Sequence, residues 1–122
     1  MTVQYRYLEQ KQSIELPAGG VKVGQDILKA AEQELLEETG CTAHEMIKMG
    51  KFQPCNGLVS DETHVFLAHI DQIGQQHLDD TEEIDLLYRY PQEIDDMIKN
   101  NDIWDGQTMA AWALVHHHFL HK

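Results

Sequence analysis

The sequence predicts an α/β fold, a mixed central sheet held between helices in an α/β/α sandwich, and three observations carry that prediction. Short stretches rich in β-formers occur near the N-terminus and again in the middle of the chain. A capped helical pattern separates the first strands from the next pair, and two further helical patterns close the chain. The resulting order, β–β–α–β–β–β–α–α, is that of a sheet covered by helices.

Val3–Leu8 (VQYRYL) alternates in polarity and reads as the first strand. Glu9–Ser13 is a polar turn, and Ile14–Leu16 a short extended piece before Pro17. Ala18–Gly24 contains Gly19, Gly20 and Gly24, a loop that bends sharply or lets backbone approach a ligand. A helix is predicted from about Asp26, its N-cap, to Thr39, with Gly40 as the residue that ends it. Glu45–Phe52 and Thr63–Ile70 read as strands, joined by a loop that holds Pro54, Asn56 and Gly57. Gln72–Glu83 is acidic and aperiodic, hence a loop, and Ile84–Tyr90 is a further strand. Pro91 suits the first helical position before Gln92–Asn100. A last helix from about Gly106 turns Met109, Trp112, Ala113, Leu114 and Val115 toward a core.

A length of 122 residues fits a single domain, 1–122. Nine basic residues against 21 acidic ones give a formal net charge of −12, which argues against a nucleic-acid partner held by a basic footprint. An acidic protein that handles phosphates needs a divalent cation between the two anions. No stretch approaches the roughly 20 apolar residues of a bilayer span, so no membrane partner is expected. Cys41 and Cys55 form no CxxC and no disulfide framework, and Met1–Leu8 does not resemble a signal peptide. Reduced thiols and no leader point to a cytoplasmic protein.

The chemistry is concentrated in ELPAGGVKVGQDILKAAEQELLEETGC, Glu15–Cys41. Glu34, Glu37 and Glu38 are spaced i, i+3, i+4 and fall within an arc of about 100° on one helix side. They border the apolar stripe of Leu28 and Leu35 and lie near the helix C-terminus, where the macrodipole disfavours negative charge. Three acids this close repel one another unless a cation lies among them. Oxygen-only ligands suit Mg²⁺ or Mn²⁺. An acidic run on a helix is otherwise an ordinary solvated face.

The rest of the stretch decides between these readings. Gly19, position 25 and Gln33–Cys41 follow the spacing of the Nudix box, which the chain resembles: Gly19, Glu34, Leu35, Glu37, Glu38, Gly40 and Cys41 match it. Gln25 stands where the box has its first Glu, and Gln33 where it has Arg. VQYRY at Val3–Tyr7, ELPAGG at Glu15–Gly20, FQPCNGLVSDETHVFLA at Phe52–Ala68 and IWDGQTMAAWAL at Ile103–Leu114 are similar to the ADP-ribose pyrophosphatase-like branch of that family. The additional N-terminal domain of the branch is not matched.

The resemblance implies a Nudix-type α/β/α sandwich and divalent-metal-dependent hydrolysis of a nucleoside diphosphate linked to another group. It implies Glu34 and Glu38 as principal ligands of Mg²⁺ or Mn²⁺, Glu37 as a supporting or bridging one, and the Ala18 carbonyl as a further ligand. The general base is implied in Asp79–Glu83, with Glu83 and Glu82 both open. Gly19 and Gly20 of the glycine loop and Arg6 are candidates for substrate binding. Gln33 can donate a hydrogen bond but brings no charge to the acids, so turnover by this box is the point at issue. The other reading is a catalytically weakened Nudix-fold module that binds a nucleotide.

His116, His117, His118 and His121 include an i, i+4 pair, His117 and His121, but without an acidic partner they read as structural. Trp104 and Trp112 read as core or interface residues, with base stacking by Trp104 left open. Apolar residues of the N-terminal strand and the last helix leave room for a homodimer.

Overall fold

The computed structural model describes residues 1–120; His121, and with it the His117–His121 pair, lies outside the described residues. The chain opens with a hairpin of β1 (Thr2–Arg6) and β2 (Lys11–Glu15), in register from Thr2 opposite Glu15 to Arg6 opposite Lys11. The expected polar turn Glu9–Ser13 is shorter than predicted. Its second half pairs with β1, and Gln10 at φ 54° makes the reversal. Lys11 and Gln12 are exposed, so this edge needs no apolar alternation to form.

The glycine-bearing loop leads into α1 (Ile27–Thr39). Asp26 caps it by accepting from Leu28 N at 3.2 Å, and Gly40 closes it in the left-handed region at φ 73°. The next strand, β3 (Cys41–Phe52), starts immediately after Gly40 rather than at Glu45, and β4 (Thr63–Ile73) runs past the predicted end at Ile70. Bulges between Thr42 and Ala43, Ala43 and Glu45, and Lys48 and Gly50 break the alternation that would have revealed the full length.

Only Ile84–Leu86 of the expected Ile84–Tyr90 strand pairs, as β5, since Leu87–Tyr90 run on into the proline that starts α2 (Pro91–Lys99). The last elements are α3 (Gly106–Val115), capped by Asp105 Oδ2 on Thr108 N at 2.9 Å, and a 3₁₀ turn over His116–Phe119.

The α/β class stands, but the strand pairings do not form one mixed sheet. Among the described residues β2-β1-β5 make one sheet and β3-β4 another, with every pairing antiparallel. Two of the three pairings are hairpins, and a hairpin can only be antiparallel. Helices α1 and α3 both pack on β3 and β4. The core joins Val65, Ile94, Ile103, Ala111, Trp112 and Val115, with Ile103 fully buried. Ala113, expected inside, is exposed, and Leu114 only half-buried. Among the described residues no helix is long and apolar enough to cross a membrane.

Candidate active site

Two glutamates one turn apart on α1 lie against two successive residues of the glycine loop. Glu38, 4% exposed, accepts at Oε2 from Ala18 N at 3.2 Å. Glu34 lies so close to Gly19 that a Cβ there would overlap the Glu34 carboxyl. A side chain there would push the Glu34 carboxyl out of its place. Gly20 is different, because a Cβ there would meet nothing. The loop backbone meets the carboxylates at Ala18 and Gly19, and at Ala18 the atom that does so is the amide N–H, not the carbonyl expected as a metal ligand.

The electrostatics are those of an acid cluster short of positive charge. Burial, then the charges of Glu34, Glu82 and Glu15, push Glu38 up to about 7, against the lowering effect of the Ala18 hydrogen bond. Burial raises Glu34 too, followed by the charges of Glu37 and Glu82. Glu82 therefore bears on both glutamates from the acidic loop, and it is half-buried where Glu83 is exposed.

Gln33 Nε2 donates to Glu37 Oε1 at 2.8 Å, so the residue in the arginine position orients one box acid without neutralising it. Gln25 serves the loop: its Oε1 accepts from Lys22 N at 3.1 Å and its N–H donates to Lys22 O at 3.0 Å. A shallow depression lined by Gln25, Asp26, Met46, Lys48 and Phe66 includes none of the three box glutamates. We take the carboxylates, which have the chemistry, as the site. Arg6 is committed to Glu15, with Nε donating to Oε2 at 2.8 Å and Nη2 to Oε1. Burial would raise Glu15, but the hydrogen bonds and charge of Arg6 hold it below its ordinary value.

Residues that the sequence did not single out complete the surroundings. Glu15 anchors Arg6 beside the glycine loop, and Gln76 Nε2 donates to Glu38 O at 2.6 Å and Ile84 O at 2.9 Å. A lone Gln in a polar loop gives no signal of that double bond. His116 does have an acidic partner: its Nε2 lies 3.1 Å from Asp95 Oδ2, while Asp95 Oδ1 accepts from Trp112 Nε1 at 2.7 Å. That set ties α2 to α3, and the structural reading of the histidine holds for a different reason. Trp104 is covered by Lys11, whose Nζ sits 4.4 Å from the ring centroid.

The donor set fits a hard divalent cation. Glu34 and Glu38 offer carboxylate oxygens from adjacent turns, the loop backbone lies alongside, and both acids hold protons more tightly than free carboxylates do. Among the described residues no three His, Cys, Asp or Glu side chains are already grouped around one cation position.

The chain is similar to known proteins over most of its length. The chain is 27% identical over 113 residues to an ADP-ribose pyrophosphatase of Bacillus subtilis (strain 168), and 31% identical over 113 residues to a methanol dehydrogenase activator of Bacillus methanolicus. Each alignment covers 91% of this chain and 61% of the relative, so the chain spans about three fifths of their length. A crystal structure of an ADP compounds hydrolase superposes with a TM-score of 0.83 at 18% identity, over 95% of this chain and 63% of that one, which establishes the fold. The sequence pattern of the NUDIX domain matches residues 2–112, and the chain belongs to that family.

Proposed function

We propose that the chain, as a single domain over 1–122, hydrolyses the pyrophosphate bond of a nucleoside diphosphate linked to another group, of the ADP-ribose or nucleotide-sugar type, and releases a nucleoside monophosphate. The observation that carries this reading is the hydrogen bond of Glu38 to Ala18 N–H with Glu34 packed close against Gly19. It brings carboxylates and loop backbone together where a cation and a diphosphate can meet. Similarity to the Bacillus subtilis ADP-ribose pyrophosphatase supports the substrate class.

Mg²⁺ or Mn²⁺ bound there supplies the positive charge that offsets both the pyrophosphate and the acids. Glu34 and Glu38 hold it, and Glu37, oriented by Gln33, supports them. Glu82, which faces both ligands electrostatically, accepts the proton of the attacking water, whereas Glu83 is turned to solvent. Arg6, fixed by Glu15 and still half-exposed, offers its outer edge to a phosphate.

A panel of nucleoside diphosphate derivatives assayed with Mg²⁺ and with Mn²⁺, products identified by mass, tests the reading. Nucleoside monophosphate formed by the native chain and lost in Glu38→Gln is the expected result; equal turnover in that variant removes Glu38 from the site. Glu82→Gln is expected to lower kcat by about 10²-fold or more, and Glu83→Gln to leave it within a few-fold. Because Gln25 and Gln33 replace charged residues of the box, a binding module is the second reading. It predicts a melting shift with ADP-ribose and Mg²⁺ but no product. A cytoplasmic homodimer belongs to the first reading, supported by Tyr7 and Leu8, which stand 83% and 97% exposed beyond β1.

A further inference from the structure

The acidic loop that carries Glu82 leaves the end of β4 and returns at β5, and its base is fastened to the end of α1. A helix leaves its last carbonyls without partners of its own. Here Gly74 N donates to Gly40 O at 2.7 Å, His77 N to Glu37 O at 2.8 Å, and Gln76 Nε2 to Glu38 O at 2.6 Å. The approach is close enough that a Cβ on Gly40 would overlap the Gly74 carbonyl. One segment thus completes the helix that bears the carboxylates and also launches the acidic loop from its end.

Gln76 does more than finish the helix, because the same amide nitrogen reaches Ile84 O at 2.9 Å. It spans the two ends of the excursion from His77 to Glu83. Inside that excursion the chain is a self-bonded unit. Asp79 Oδ1 accepts from Thr81 N and Oγ1 at 2.8 and 2.7 Å, Glu82 N donates to Asp79 O at 3.1 Å, and Asp79 N donates to Glu82 Oε1 at 3.1 Å. A unit braced internally and pinned at its base moves little relative to the base. The pin is therefore what sets its position relative to α1.

We propose that Gln76 is a positioning residue for hydrolysis, clasping the Glu38 carbonyl and the Ile84 carbonyl so that the loop bearing Glu82 is fixed to the end of the helix that bears Glu34 and Glu38. This rests on the hydrolytic reading of the site, with Glu82 as the base. Loss of the clasp lets the loop shift as a body, and misplacement by about 1 Å is enough to cost on the order of 10²-fold in rate. Substrate grip by the glycine loop and Arg6 is untouched, so the loss falls on kcat.

The test compares Gln76→Ala, which removes the donor, with Gln76→Lys, whose ammonium can serve the same two carbonyls. Each is made in the native chain and in Glu82→Gln, with melting temperature recorded to verify folding. The expected result for Gln76→Ala is a fall in kcat of about tenfold or more with KM within twofold, recovered for the most part in Gln76→Lys. In the Glu82→Gln background the same substitution is expected to change the residual rate less than twofold, because the group it positions is gone. An equal loss in both backgrounds overturns the proposal. Amide hydrogen exchange provides an arm independent of turnover: Gln76→Ala should speed exchange at His77, Asp79, Thr81 and Glu82. Unchanged exchange there also overturns the clasp. If the native chain turns over no member of the substrate panel, the hydrolytic reading fails, and exchange alone then upholds or overturns the clasp.

Discussion

Gln33 Nε2 donates to Glu37 Oε1 at 2.8 Å, one helical turn along α1. A neutral amide thus does the orienting that a charged residue would do in that position, and the difference between them is one exposed i, i+4 ion pair. Such pairs are worth about 0.2–0.5 kcal/mol, which corresponds to roughly twofold in a rate or binding constant. Gln33→Arg is therefore expected to raise kcat/KM of the Mg²⁺-dependent reaction only about two- to threefold. Steady-state kinetics on the two proteins checks this. A gain of a hundredfold would mean that the amide leaves the acids badly placed, and would favour the binding-module reading of the native chain.

Gly19 and Gly40 fill different needs, and alanine at each should separate function from stability. At Gly19 the obstacle is the end of the Glu34 side chain, which can swing away. Gly19→Ala should then cost less than about 1 kcal/mol of stability while lowering kcat about 10²-fold if the displaced group is the proposed cation ligand. At Gly40 the obstacle is the Gly74 backbone and φ is 73°, so Gly40→Ala should lower the melting temperature by several degrees. Gly20→Ala, with open space around it, should do neither. Melting curves and turnover on the three variants make the comparison.

What was legible in the sequence was local. Asp26 caps the helix that Gly40 ends, and the i, i+3, i+4 spacing of Glu34, Glu37 and Glu38 puts them on one side. Each of those features is written within a few residues of where it acts. The partners that give the acids their properties come from afar. Ala18 reaches Glu38 across 20 positions of sequence, and Gln76 reaches it across 38. The exposure that separates half-buried Glu82 from exposed Glu83 is set by how the loop folds back, which no periodicity in an acidic tract encodes. Strand lengths were hidden for a related reason: β2 is held by pairing with β1, and β3 is interrupted by bulges.

Glu15 should make the protein sensitive to acid. Its folded pKa lies below its ordinary value because the hydrogen bonds and charge of Arg6 outweigh burial. Folding then favours the ionised form, and the stabilisation is fully present above the unfolded pKa of about 4.3. It is lost as pH falls through the lower folded value. Glu15→Gln should cost about 1–3 kcal/mol at pH 7, since the pair is buried on one side and half-exposed on the other. Denaturant titrations should show the gap between the variant and the native protein closing below about pH 4.

Glu38 should act with the opposite sign. Burial and the neighbouring acids raise it to about 7 in the folded protein, against about 4.3 in the unfolded chain. Folding without metal therefore takes up a proton between those values, so this group's contribution declines as pH rises from about 4 to 7 and is flat above. An amide cannot ionise, and Glu38→Gln removes the penalty. The variant should melt higher than the native protein by several degrees at pH 8, with little difference at pH 4. Added Mg²⁺ reverses the order: a cation held by Glu34 and Glu38 raises the native melting temperature by mass action, while the variant, short of one carboxylate, should respond weakly. Thermal melts at the two pH values, with and without Mg²⁺, check the whole pattern. A variant less stable than the native metal-free protein at pH 8 would show that the Ala18 hydrogen bond outweighs the strain of the buried charge.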